Sequence, residues 1–268
     1  MQVGSSSVKV RVKVILETSV LIASSTYFIS KELKSSKIIK DPHFERAMEL
    51  VSELRKRVKQ RIGVYTRTIA IETRNALRDA VKRRLEEEGC NPQNLTFILN
   101  HCSDRLERTL EILSLEPVDQ ERRSHFLAEA YKMYSQLLER SDVVTEQSTR
   151  SMAEQKTKVT APPKFWRLQS RIQTGQVRQE YRQLYYLKDN PPGPRDHEIL
   201  AEAAALYESY AAEAPTELYM ASADCSHFSP ATSPAGIVSH QITERIEEAF
   251  HVKCDWPDNI GRLLRKLT

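Results

Sequence analysis

The chain has 268 residues, of which only 7 are Gly and 28% are charged, so we expect a helix-rich protein long enough for one large domain or two smaller ones. No run of about 18 apolar residues occurs, which argues against a transmembrane helix, and no apolar stretch of the signal-peptide kind begins the chain. The sequence therefore predicts a cytoplasmic protein with no membrane partner, and the modest net charge of +4 excludes no partner by itself.

The first third of the chain is predicted to alternate between strand and helix. Val alternates with Lys or Arg and is followed by a continuously apolar run that ends at Leu16, a pattern typical of a strand. Thr18 or Ser19 can cap a helix after that strand. The predicted elements are a strand over 8–16, a helix over 44–58, a short strand over 62–66 and a helix over 68–85.

Helical patterns dominate the middle of the chain. Two amphipathic helices are predicted over 95–113 and 126–138, followed over 141–163 by a loop or mobile linker without apolar periodicity. Residues 164–188 are predicted to be helical, basic and rich in aromatic side chains. Three prolines and a glycine within 189–194 then end any helix, because proline cannot continue one.

The last section returns to alternating helix and strand. An alanine-rich helix is predicted over 197–212, with Asp196 placed to interact with the dipole at its N-terminus. A buried strand over 218–223 ends at Asp224. The remaining predicted elements are a short strand over 236–238, a helix over 242–250 and a strand over 251–254. The predicted fold class is therefore α/β.

Four carboxylates stand at the ends of apolar segments in this arrangement. A carboxylate is costly to bury unless it is paired, hydrogen-bonded or bound to a metal. Crowded carboxylates also repel one another, so a cation such as Mg²⁺ or Mn²⁺, which prefers oxygen ligands, would stabilise them. Taken singly, each acid also has an ordinary explanation, such as a helix N-cap or a turn residue. The four acids are Glu17, Glu72, Asp196 and Asp224.

Each acid lies in a short motif. The motifs are Val14-Ile15-Leu16-Glu17-Thr18-Ser19-Val20-Leu21, Ile71-Glu72, Asp196-His197-Glu198-Ile199-Leu200-Ala201-Glu202-Ala203 and Ser222-Ala223-Asp224. In order and placement they resemble the motifs of the PIN-domain ribonucleases, although that family has Asp where this chain has Glu17. The resemblance implies a PIN-like three-layer α/β/α sandwich with a mainly parallel sheet. It also implies two domain parts, 1–81 and 195–268, separated by a helical insertion over 82–194.

This resemblance further implies a metal-dependent endoribonuclease that hydrolyses RNA phosphodiester bonds with Mg²⁺ or Mn²⁺. The ion would activate a water and neutralise the leaving oxygen. All four acids belong to the expected catalytic set, in which Glu72 binds the metal or positions the attacking water. Two hydroxyls are expected to hydrogen-bond the carboxylates. The expected metal ligands are Glu17, Asp196 and Asp224, and the expected hydroxyl partners are Thr18 and Ser222.

A basic segment over 150–188 carries a net charge of +7, against −3 for the rest of the chain. Cations neutralise phosphates and aromatic rings can stack on unpaired bases, so this segment is a candidate RNA-binding surface. The alternative is that its aromatic residues form an apolar helix face and its cations are merely solvated. The predicted RNA-binding residues are Trp166, Arg167, Arg171, Arg178 and Arg182.

Several alternatives stay open at this point. Glu17 is one methylene longer than Asp, and a misplacement of ~1 Å at a reacting centre can cost about a hundredfold in rate. A weak or inactive PIN-like protein that binds RNA or acts as a scaffold is therefore the first alternative. A toxin of a toxin–antitoxin pair is the second, and a helical interaction protein is the third. His227 could contact a phosphate or a metal-bound water, or cap a turn. A homodimer, or a protein partner bound through the insertion, also stays open.

Overall fold

A central sheet of five parallel strands organises the chain in this computed structural model, which describes residues 10–29, 38–89, 95–153, 187, 190–224, 227–228, 231–232, 238–239 and 241–267. The five strands are β1 (Arg11–Leu16), β4 (Gly63–Tyr65), β5 (Ser114–Leu115), β6 (Thr216–Ala221) and β9 (Val252–Asp255). They lie in the order β5–β4–β1–β6–β9, with β1 in the middle. Two separate antiparallel pairs are β2 (Tyr27–Ile29) with β3 (Ile38–Lys40), and β7 (Ala231–Thr232) with β8 (Val238–Ser239).

Helices flank the sheet in two groups. The helices are α1 (Thr18–Ser25), α2 (Phe44–Lys56), α3 (Arg67–Glu87), α4 (Leu95–Leu110), α5 (Gln120–Ala153), α6 (Pro194–Glu213), α7 (Gln241–Phe250) and α8 (Pro257–Lys266), with a 3₁₀ turn at Val58–Gln60. Helices α1 to α4 and α8 pack on one another, whereas α5, α6 and α7 form the second group. No helix in the described part of the chain is long and apolar enough to cross a membrane.

The middle of the sheet is covered on both faces. Successive residues of a strand point to opposite faces, and Val14, Ile15 and Leu16 of β1 are all fully buried. Helix α6 is buried along nearly its whole second and third turns, because its alanines allow neighbouring elements to approach closely. The predicted α/β class with a parallel sheet is therefore confirmed, and the arrangement is compatible with a three-layer α/β/α sandwich.

The register between β1 and β6 brings the two central strands to an end at the same level. Leu16 pairs with Ala221, and the next backbone N–H, that of Glu17, donates to the Ala221 carbonyl at 3.0 Å. Because both strands run in the same direction, the residues that follow them leave the sheet at one edge. This edge carries most of the side chains that the sequence singles out.

Helix α5 differs from its prediction. The loop predicted over 141–163 is wrong for residues 141–153, which continue the helix to Ala153. The first part of α5 packs against α6, with the rings of Tyr131 and Tyr134 against His197, and Ala130 and Leu137 are buried on the same helix. Once such a helix is nucleated, adding polar residues to its end costs little, so it extends beyond the apolar periodicity. Residues 154–163, and the predicted basic helix over 164–188 apart from Leu187, lie outside the described residues.

Some elements have no counterpart among the predicted ones. Strand β5 lies within the predicted helical insertion, yet it pairs with β4 and forms the edge of the main sheet. A two-residue strand leaves no periodic signal in a sequence, and only the pairing with β4 defines it. Helix α8 and the β2–β3 pair are likewise absent from the prediction.

Gly63 in β4 provides a test of this packing. A Cβ at position 63 would lie 2.6 Å from Leu113 Cδ2 and 3.0 Å from Leu54 Cδ1. Both leucines are buried, so we expect Gly63→Ala to lower the free energy of unfolding by about 1–2 kcal/mol. Gly261→Ala is the matched control, because its Cβ would make ordinary 3.5 Å contacts in helix α8, where Ala is favoured over Gly. Urea denaturation of both variants measures the effect, and equal stability of the two would contradict the packing described here.

Candidate functional site

Four of the predicted site residues lie just beyond the carboxyl ends of the central strands β1 and β6. Glu17 and Thr18 directly follow β1, and Ser222 and Asp224 follow β6. In an open parallel sheet this edge is the usual place for a ligand, because the connecting loops converge there. The other two predicted acids, Glu72 and Asp196, lie on helices α3 and α6 and are connected to this edge by the contacts described below.

Glu17 is the most deeply buried acid of the site. It is 5% exposed and caps α1, accepting a hydrogen bond on Oε2 from the Ser19 backbone N–H at 3.0 Å. The same oxygen accepts hydrogen bonds from the Ser19 hydroxyl and, at 3.0 Å, from the Ser222 hydroxyl. Burial and the nearby charge of Asp224 raise the pKa of Glu17 to about 8, against the lowering effect of the serine hydrogen bonds.

The two serines tie the ends of β1 and β6 together. The Ser19 hydroxyl accepts a hydrogen bond from the Ala223 backbone N–H at 2.8 Å, and the Ser222 hydroxyl accepts one from the Asp224 N–H at 3.0 Å. Each hydroxyl thus donates to Glu17 and accepts from the loop after β6. This network holds the Glu17 carboxyl in one position.

Glu72 lies on α3 and is held by the other predicted hydroxyl. Thr18 Oγ1 donates to Glu72 Oε2 at 2.9 Å, which joins the start of α1 to α3. Burial raises the pKa of Glu72, and the negative charge of Asp196 raises it further, although the Thr18 hydrogen bond acts in the opposite direction. The Thr18 hydrogen bond places the Glu72 carboxyl beside the residue that directly follows Glu17.

Asp196 enters the site from the first turn of α6. Its Oδ2 accepts a hydrogen bond from the Gly193 backbone N–H at 2.7 Å, which fixes the carboxylate at the helix N-terminus. His227 Nδ1 lies 3.5 Å from the same oxygen and 2.8 Å from Asp224 Oδ2. The imidazole therefore stands between two carboxylates that come from different parts of the chain.

His227 is itself held from the other side of its ring. Its Nε2 lies 2.9 Å from the Asn190 carbonyl oxygen, so both ring nitrogens face acceptors and the doubly protonated imidazolium is favoured. Burial alone would lower the pKa of His227, but the nearby carboxylates of Asp196 and Asp224 outweigh burial and raise the pKa to about 11. An internal cation thus neutralises these carboxylates when no metal ion is bound.

Among the described residues, one group could hold a metal ion. One donor atom each from Asp196, Asp224 and His227 lies within 4.8 Å of the other two. Glu17, the remaining predicted metal ligand, is not in that group, but it accepts a hydrogen bond from the Ser222 hydroxyl, which itself accepts one from the Asp224 backbone N–H. The predicted RNA-binding residues lie outside the described residues. They are Trp166, Arg167, Arg171, Arg178 and Arg182.

Two residues of the site are absent from the predicted set. Ser19 follows Glu17 by two positions, and its role depends on a backbone N–H more than two hundred residues away, at Ala223. His227 follows Asp224 by three positions, a spacing that could have suggested a contact. The orientation of its ring depends on Asn190 and Asp196, which local sequence does not reveal.

The raised pKa of Glu17 predicts how stability depends on pH in the metal-free protein. The folded state holds this proton up to about pH 8, whereas the unfolded chain releases it near 4.5, so the stabilising contribution is complete at low pH and is lost between these values. In EDTA, Glu17→Gln should therefore gain stability relative to the parent chain as pH rises from about 5 to about 8, by up to about 4 kcal/mol.

Denaturant unfolding at a series of pH values measures this difference. The exposed Glu111→Gln is the matched control and should follow the parent chain throughout. Parallel pH profiles for Glu17→Gln and the parent would show that Glu17 does not retain its proton in the folded state.

Comparison with protein-family models, curated proteins and solved structures found no match for this chain. The resemblance to the PIN-domain ribonucleases thus rests on the four sequence motifs alone. The chemistry of the site therefore has to be argued from its own residues.

Proposed function

We propose that the chain is a metal-dependent endoribonuclease with a PIN-like three-layer α/β/α fold, acting in the cytoplasm on RNA phosphodiester bonds. The observation that carries this proposal is the convergence of distant acids at one edge of the sheet. Asp196 and Asp224 meet at His227. Glu17 is linked to the Asp224 backbone through the Ser222 hydroxyl, and Glu72 is linked to the residue after Glu17 through the Thr18 hydroxyl. Such crowding of acids is expected where a dication completes the site.

The donor set fits a divalent ion. Asp196 and Asp224 offer carboxylate oxygens, which suit Mg²⁺ and Mn²⁺, and the three hydrogen bonds to Glu17 all go to Oε2, so its Oε1 can serve a bound ion or a water. When bound, the ion supplies water activation and neutralises charge at the scissile phosphate. It would also replace the charge that His227 now provides.

The protein groups have separate tasks in this proposal. Asp196 and Asp224 hold the ion, and the serine network positions Glu17 beside Asp224. Glu72 is half-buried with a raised pKa, which makes it a stronger proton acceptor than a solvated glutamate, and Thr18 orients it. The choice of RNA as substrate follows the family resemblance and the basic character of residues 150–188.

A second candidate function is supported by the state of His227. Its imidazolium already satisfies Asp196 and Asp224, so the same cluster can serve as a structural ion-pair network that anchors the loop after β6 to the start of α6. In that case the chain would be an inactive RNA-binding or scaffold protein. A toxin role has no separate support in the geometry, and a homodimer or a protein partner of the insertion stays a prediction.

Metal titration separates the two candidates. The ribonuclease proposal predicts that Mn²⁺ added to the parent chain gives binding heat in calorimetry, and that Asp224→Asn weakens this binding at least about tenfold because a ligand charge is removed. The exposed Asp104→Asn, which makes the same change in α4, should bind Mn²⁺ like the parent. Absence of binding heat in the parent at neutral and alkaline pH would favour the scaffold.

Cleavage of a labelled RNA tests the reaction itself. We expect cleavage by the parent with Mn²⁺ or Mg²⁺, none in EDTA, and a loss of at least about a hundredfold for Asp224→Asn at saturating RNA. Asp104→Asn should cleave at the parent rate. If the chain binds the metal ion but cleaves no RNA, the proposed metal site is retained and the proposed ribonuclease activity is overturned.

A further inference from the structure

A second concave site lies beyond the carboxyl ends of β4 and β5, beside the starts of helices α3 and α5. It is a cavity of about 530 Å³, within the usual size range of ligand pockets. The proposed reaction uses none of the residues that line it. They include Arg67, Ile71, Leu115, Glu116, Val118 and Glu202.

The pocket residue Glu202, on α6, is a buried acid that can accept more hydrogen bonds than it receives. It is 4% exposed, and its Oε1 accepts a hydrogen bond from the Thr68 hydroxyl at 2.5 Å. Arg123 Nε lies 3.2 Å from the same oxygen, without the alignment of a hydrogen bond. The other oxygen, Oε2, is buried and has no donor among the described residues. Because an ionised carboxylate can accept about four hydrogen bonds, a donor is missing at Glu202.

The charges around Glu202 favour a positively charged donor over a neutral one. The guanidinium of Arg123 is shared between two acids, because its Nη2 lies 3.6 Å from Glu198 Oε2 while its Nε faces Glu202. Glu116 is partly buried and brings a second carboxylate to the pocket. Arg67 is exposed, so solvent screens its charge more strongly than that of the buried Glu202. A hydrogen bond from a cation to a carboxylate is also about twice as strong as one between neutral groups.

An apolar surface completes the lining of the pocket. Ile71 and Leu115 are 44% and 57% exposed, unusually open for large apolar side chains, and Val118 lines the same pocket. Covering such a surface with an apolar group is favourable in proportion to the area removed from water. The pocket therefore suits an apolar stem that carries a cationic head. Arg67, in the first turn of α3, disfavours a second positive charge on the same ligand.

We propose that this pocket binds an organic monocation. Its primary ammonium or guanidinium group donates to Glu202 Oε2, and its apolar stem lies against Ile71, Leu115 and Val118. The ligand supplies the donor that the buried carboxylate lacks. This inference goes beyond the proposed ribonuclease function and does not depend on it, because none of these residues belongs to the proposed metal site. The same chemistry occurs in free amines and in the lysine and arginine side chains of a partner protein.

NMR titrations that follow backbone amide shifts, in EDTA at neutral pH, test the site with three probes that share one aromatic stem. Phenethylamine carries a cation, phenethyl alcohol has a neutral hydroxyl in its place, and phenylacetate carries a negative charge. We expect the amine to bind at least about tenfold more tightly than either analogue, with the largest shifts near Thr68 and Leu115. Equal affinities of the amine and the alcohol, or shifts confined to residues outside the pocket, would overturn the proposal.

A first pair of variants tests the contact between the cation and Glu202. Glu202→Gln removes the negative charge and should weaken binding of phenethylamine at least about tenfold. Glu198→Gln is the matched control, because it makes the same change on α6 and also removes a partner of Arg123, yet it lies outside the pocket lining. The control should bind the amine like the parent chain. Equal affinities of the two variants for the amine would contradict the role assigned to Glu202.

A second pair of variants tests the apolar stem without changing the buried acid. Leu115→Ser shortens an exposed side chain, so the fold is retained, and it should weaken amine binding about three- to tenfold because less apolar surface is covered. Leu267→Ser makes the same change at a leucine that is 55% exposed and lies outside the pocket lining, and it should leave the affinity unchanged. If Leu115→Ser binds the amine as tightly as the parent chain, the proposed placement of the stem is wrong.

A further titration distinguishes a free amine from a side chain of a partner protein. The probes are n-butylamine and the blocked tripeptide acetyl-Gly-Lys-Gly-amide, whose lysine carries the same ammonium and stem on a peptide backbone. Tighter binding of the tripeptide would assign the pocket to a partner's side chain, and tighter binding of n-butylamine would assign it to a free amine. Either result retains the monocation site, whereas no binding of either probe or of phenethylamine would overturn it.

Discussion

The parallel pairing of β1 with β6 is the constraint on which the site depends. With Leu16 opposite Ala221, the segments that follow the two strands leave the sheet side by side, and Ser19 and Ser222 join them through the Glu17 carboxyl. A one-residue shift of this register would turn each side chain to the opposite face of the sheet and separate Glu17 from Ser222. The register that packs β1 against β6 is therefore also the register that assembles the site.

Two buried ionisable groups of the site, Glu17 and His227, are both protonated near neutral pH, but for different reasons. For Glu17, the cost of desolvating a charge exceeds the gain from the serine hydrogen bonds, so the neutral acid is favoured. For His227, the attraction of Asp196 and Asp224 exceeds the desolvation cost, so the cation is favoured. The metal-free site thus stores protons, and binding of a dication would release them, which couples metal affinity to pH.

Polar features are distributed along one edge of the sheet rather than concentrated at a single point. The acids lie beyond β1 and β6, whereas the pocket with Glu202 and Arg67 lies beyond β4 and β5. Helices α3 and α6 each contribute to both places, so a change in either helix would affect the acids and the pocket together.

Local sequence determined most of the long helices and the central strands, because strand and helix patterns arise from burial of one face. It also singled out the acids, because a charge at the end of an apolar run is visible without any partner. It did not determine the strand order, the helical continuation to Ala153 or the inclusion of β5. The contact of His227 with Asp196 and the Glu17–Ser222 bond, which joins residues 205 positions apart, were decided only by the tertiary structure. The physical reason is that hydrogen bonds, desolvation and charge coupling depend on distance in space, and only the pairing of remote strands sets that distance.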